Sequence, residues 1–115
     1  MTPARKMTFA ELMAAANPPL PGSDADGTCR TAYKGLFGGT FKTNLVVMPQ
    51  GQRSPARESE IEHVIYVIEG AFEFDVGGTL HELATMDQIY VPIGVRWEYR
   101  NSFDGQSTFL SITGR

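Results

Sequence analysis

An all-β jelly roll or barrel is the fold class this sequence predicts, and three observations predict it. From Tyr33 onward, apolar side chains recur with period two over short runs. Those runs are cut by turn residues at Pro49-Gln50-Gly51, Gly77-Gly78, Asp87, Gly94 and Asp104-Gly105. Twelve glycines and seven prolines in 115 residues suit a turn-rich chain. The length allows one domain with one core. Within it, residues 1–40 are expected to form an N-terminal helix and arm, and residues 41–115 the barrel.

The elements follow in order. Thr8-Phe9-Ala10-Glu11 has the capping-box pattern, in which Thr8 caps the helix and Glu11 reaches back to it. Phe9, Leu12, Met13 and Ala16 then share one helical face, so a helix of about two turns is expected, ended by Asn17-Pro18-Pro19. Residues 17–30, rich in Pro, Gly and Asp, read as an irregular arm draped over the barrel. Phe41–Met48 is the first barrel strand. Ile61–Ile68 is apolar on both faces, as in a strand packed within a sandwich or against a second subunit. Phe72, Phe74 and Val76 alternate with Glu73 and Asp75, and Gly77-Gly78 marks a hairpin. Further strands are expected near 79–84, 88–92, 95–100 and 107–113, giving about eight in all.

Composition narrows the function classes. A net charge of −3 and a pI near 5.3, with the ten basic residues scattered, give no footprint for nucleic acid. No apolar run reaches the roughly 20 residues needed to span a bilayer, so no membrane association is expected. Glu11 interrupts the apolar stretch after Arg5 and Lys6, which argues against a secretory signal. Cys29 is the single cysteine and cannot form an internal disulfide, which fits a reducing cytoplasm. No Ser-His-Asp order, phosphate loop or zinc-finger spacing occurs.

Two segments carry most of the information. Gly51 to Gly70 ends in Tyr66-Val67-Ile68-Glu69-Gly70, and Met86 to Asn101 contains Pro92-Ile93-Gly94. The first resembles the first motif of the cupin superfamily: a glycine, two histidines one residue apart, a glutamate and a closing glycine. The second resembles the second cupin motif, with Met86 in place of its leading glycine. The resemblance covers about half the chain and implies a cupin (RmlC-like) jelly-roll β-barrel with a short N-terminal helix and arm.

The resemblance also implies where metal ligands would stand. The two histidines of the first motif fall on Arg57 and Ser59, the glutamate on His63, and the last histidine on Trp97. One plausible ligand survives, whereas a divalent first-row ion needs three or four donors at about 2.0–2.3 Å. No metal or other cofactor is therefore expected. A shift of one residue would instead offer Glu58, Glu60 and His63 to a divalent transition metal. On a regular strand, however, Glu58, Glu60 and Glu62 have the parity opposite to His63 and form a solvated acidic rim. A further similarity is to the half of the ureidoglycine aminohydrolases, double-cupin enzymes, that lacks the ligand set.

The candidate site residues follow from parity and chemistry. His63 points inward beside Ile65 and Val67 and is the acid–base candidate; alternatively it is a core histidine bonded to a neighbour. Arg57 at the mouth suits a planar carboxylate, or else pairs with Glu58 or Glu60. Trp97 and Tyr99 share parity and either line the same cavity or fill space that a metal site has vacated. His81 is expected at the surface.

These residues are expected to line a pocket for a small carboxylate-bearing metabolite, with His63 as acid or base in an isomerase, lyase or hydrolase step. One alternative is a non-catalytic cupin, a ligand sensor or partner subunit with a decayed metal site. The other is the metal-dependent enzyme of Glu58, Glu60 and His63. A homodimer formed through strand 61–68 and Phe72/Phe74 is expected.

Overall fold

The computed structural model describes residues 6, 8, 10–11, 16–17, 30–32 and 42–114. Among them, ten strands run in the order β1 (Ala16–Asn17), β2 (Arg30–Ala32), β3 (Lys42–Met48), β4 (Arg57–Glu58) and β5 (His63–Glu69), then β6 (Ala71–Val76), β7 (Thr79–Ala84), β8 (Gln88–Val91), β9 (Arg96–Asn101) and β10 (Ser107–Thr113). All pair antiparallel. The larger sheet has the order β1-β2-β3-β10-β5-β8 and the smaller β4-β9-β6-β7. Every barrel strand expected from the period-two pattern is present. The two-residue β4, which pairs Arg57 with Trp97 and Glu58 with Arg96, had no signal in the sequence.

The N-terminal capping box forms. The Thr8 N–H donates to Glu11 Oε1 at 2.9 Å and the Glu11 N–H to Thr8 Oγ1 at 3.0 Å. Ala10 and Glu11 are helical; Phe9, Leu12 and Met13 lie outside the described residues. Ala16, expected on the helical face, and Asn17 instead form β1, and Arg30–Ala32 forms β2. The two ends of the expected irregular arm are thus strands. β2 pairs with β3 and β1 with β2, because an edge strand with open backbone groups is a template for further pairing.

Strand alternation places the core between the sheets. Val46, Met48, Ile65, Val67 and Phe109 face inward from the larger sheet, against Phe72, Phe74, Leu83, Trp97 and Tyr99 from the smaller. Five of these ten are aromatic and interlock at the angles ring quadrupoles favour: Tyr99 meets Phe109 edge-on at 5.1 Å and 86°, and Phe72 meets Phe109 at 5.0 Å and 75°. Phe72 and Phe74 are fully buried, so they cannot contribute to the outer pairing surface expected of them. Ile68 and Tyr90 are exposed on the larger sheet. Among the described residues, no helix is long and apolar enough to cross a membrane.

Candidate functional site

The aromatic cluster fills the barrel incompletely. Toward the end where β5 and β9 begin, a cavity of about 100 Å3 remains, with Tyr99 and Phe109 among its walls. Arg57 of β4 and Trp97 of β9 line it from the smaller sheet, and His63 of β5 from the larger. All four residues singled out from the sequence, Arg57, His63, Trp97 and Tyr99, therefore border one cavity.

Two more polar side chains line it that sequence reading missed, Asn44 of β3 and Ser111 of β10. They are paired across the β3–β10 ladder. The signal was present: Asn44 shares the parity of the inward Val46 and Met48, and Ser111 that of the inward Phe109.

Polar groups in the cavity divide into satisfied and unsatisfied. His63 Nδ1 shares a hydrogen bond with Ser111 Oγ at 3.2 Å, and its ring tilts against Trp97 at 4.9 Å. Burial, and then the positive charge of Arg57, lower the His63 pKa below the ordinary value of 6.5. The imidazole is therefore neutral at pH 7. By contrast, Arg57 Nη2, Trp97 Nε1 and Asn44 Oδ1 are buried with no hydrogen-bond partner among the described residues. Arg57 forms an ion pair with neither Glu58 nor Glu60. Each such orphan costs about 1–3 kcal/mol, and three of them border one small cavity.

This donor set does not fit a transition metal. Arg57 and Trp97 offer N–H donors, not lone pairs, at two of the positions where the family motifs carry histidine. At a third, Ser59 is buried and tied into the turn opposite: its Oγ bonds the Pro92 carbonyl and accepts from Val95 N–H at 3.2 Å, while its own carbonyl accepts from Gly94 N–H at 2.9 Å. Glu58 and Glu60 are exposed. No cluster of three His, Cys, Asp or Glu able to hold a metal occurs among the described residues, which leaves the alternative built on Glu58, Glu60 and His63 without a converging ligand set.

Other motif residues hold the frame. Gly70 turns β5 into β6 with φ of 79°, and a Cβ there would meet the Ser107 Cα at 2.9 Å. Ser107 Oγ accepts from Ala71 N–H at 3.0 Å and lies 2.8 Å from Asn101 Oδ1. Asn101 Nδ2 donates to the carbonyls of Met48 and Gly105 at 2.9 and 2.7 Å. Met86, standing where the second motif has glycine, adopts φ of 77°, a left-handed conformation that side chains resist. His81 and Tyr90 are exposed; Tyr90 Oη donates to Glu62 Oε2 at 2.6 Å, away from the cavity.

Comparison with known proteins agrees with this architecture. Residues 44–113 match the family described as a cupin domain. No curated protein matches the chain. An RmlC-like cupin from Shewanella frigidimarina superposes with a TM-score of 0.69 at 16% identity, over 99% of this chain and 94% of that one. A cupin 2 conserved barrel domain protein from Rhodopseudomonas palustris gives 0.72 at 17%, over 87% and 70%. A sugar phosphate isomerase of the cupin superfamily from Silicibacter pomeroyi gives 0.69 at 22%, over 90% and 73%. With the family matched across 44–113 and both sheets in place, the chain belongs to the cupin superfamily.

Proposed function

We propose that this cupin binds a short carboxylate inside its barrel. One observation carries the reading: Arg57 Nη2 and Trp97 Nε1 are buried donors without partners, bordering the same cavity. A carboxylate supplies acceptor oxygens to both and neutralises the guanidinium, which is costly to bury unpaired. A cavity near 100 Å3 suits a ligand or ligand head of about four heavy atoms, since a 150 Å3 cavity accepts the six of benzene. A whole sugar phosphate, the substrate class for which the Silicibacter pomeroyi isomerase is named, exceeds that space.

His63 supplies the acid–base chemistry. Its lowered pKa keeps it unprotonated at neutral pH, and the Ser111 contact at Nδ1 leaves Nε2 as the other ring nitrogen. Gripping the carboxylate at Arg57 lowers the cost of charge that builds up when His63 takes a proton from the neighbouring carbon. Returning that proton to the opposite face or to another atom of the conjugated system gives an isomerisation; expulsion of a leaving group from the next carbon, with the electron pair forming a double bond, gives a lyase.

A second reading, binding without turnover, is favoured by the absence of any carboxylate among the described cavity-lining residues, where His63 has Ser111 and no acid as its partner. Incubating short carboxylic acids with the protein in D2O, with NMR of the carbon-bound protons, separates the two. Deuterium entering beside the carboxylate, lost in His63→Gln, supports catalysis. Binding with no exchange supports the second reading, and no binding removes both.

A further inference from the structure

We infer that the preferred ligand carries a hydroxyl beside its carboxylate, making it a short 2-hydroxy acid. The inference rests on the carboxylate reading above and adds a separate observation, Asn44 Oδ1. This oxygen accepts hydrogen bonds only, is buried, and has no partner. It borders the same cavity as Arg57 and Trp97 but belongs to the opposite sheet. A plain carboxylate is acceptor-only and leaves Asn44 Oδ1 unsatisfied, whereas a ligand with one further O–H or N–H donor satisfies it. Ser111, paired with Asn44 across the ladder, makes its side-chain contact with His63 Nδ1 and none with Asn44 Oδ1.

The choice between a hydroxyl and an amine follows from charge. A 2-amino acid brings an ammonium group that must be buried near Arg57. Among the described residues no aspartate or glutamate lines the cavity to receive it, and burial, then the Arg57 charge, disfavour a cation there just as they lower the His63 pKa. A hydroxyl supplies the donor without the charge.

Isothermal titration calorimetry on the unaltered protein, with glycolate, acetate and glycine and then with both lactates, propionate and alanine, tests this at pH 7.5. The expected result is that the hydroxy acid of each set binds about tenfold tighter than the plain acid, with the amino acid weakest. In Asn44→Leu the hydroxy acid falls to the affinity of the plain acid. Equal binding of glycolate and acetate overturns the hydroxyl inference while leaving the carboxylate reading standing, and tightest binding by an amino acid does the same. Failure of every acid to bind overturns both.

Discussion

His63 and Trp97 meet across the barrel, one from each sheet, with ring centroids 4.9 Å apart and planes tilted by 46°. Where the cupin motifs carry glutamate and histidine, this chain has a neutral imidazole against an indole. The pair walls this end of the cavity with an aromatic face and an indole N–H donor. Four consequences can be measured.

The first concerns pH. A histidine whose folded pKa lies below its unfolded value binds fewer protons when folded. Its contribution to stability is therefore complete above the ordinary value of 6.5 and is lost as pH falls from there through the folded value. Urea unfolding of the wild type should show stability declining through that window. His63→Gln should flatten the decline, and an unchanged slope would show that His63 is not the group responsible.

Arg57 should trade stability for binding. Replacing it with methionine removes a buried donor that the folded protein leaves unpaired, so Arg57→Met should raise stability without ligand by about 1 kcal/mol. It should also weaken carboxylate binding by about 30-fold or more and move the His63 pKa back upward. Thermal unfolding with and without acetate, together with NMR titration of His63, reads all three. A variant that binds as tightly as wild type would exclude Arg57 from the site.

Two backbone positions should respond in opposite directions. At Met86 the left-handed φ of 77° is strained for a side chain that is 65% exposed, so Met86→Gly should stabilise by about 1 kcal/mol. At Gly70 an added methyl runs into the backbone of Ser107, so Gly70→Ala should cost roughly 3 kcal/mol or more. Denaturant midpoints of the two variants are the check.

Asn101 ties the end of β9 to the carbonyls of Met48 and Gly105 and to the Phe103 N–H. Asn101→Leu should leave these groups without partners and cost about 2–4 kcal/mol. Because Asn101 does not line the cavity, ligand affinity of the folded fraction should hold, which a calorimetric titration below the unfolding midpoint would show.

These positions also explain how far the sequence could be read. The barrel strands were legible because alternation such as Phe72-Glu73-Phe74-Asp75 has one physical outcome once a face is buried. Arg57, His63, Trp97 and Tyr99 were legible because motif spacing and parity aim them at one interior. Phe72 and Phe74 were assigned to an outer pairing surface because alternation alone does not say which face turns inward. β1 and β2 were missed because two- and three-residue edge strands borrow their conformation from β3 and carry no periodicity of their own. Asn44 and Ser111 were overlooked because a single polar residue in an apolar strand becomes informative only once its neighbours across the ladder are known.

Trp97 is the single tryptophan of the chain, so its indole N–H gives one isolated signal in a 1H–15N spectrum. Titrating acetate or glycolate while following that signal tests the central claim most directly. The account predicts a saturable downfield shift of the indole proton as a carboxylate oxygen accepts its hydrogen bond, abolished in Arg57→Met. An indole signal unmoved by any short carboxylate would contradict it.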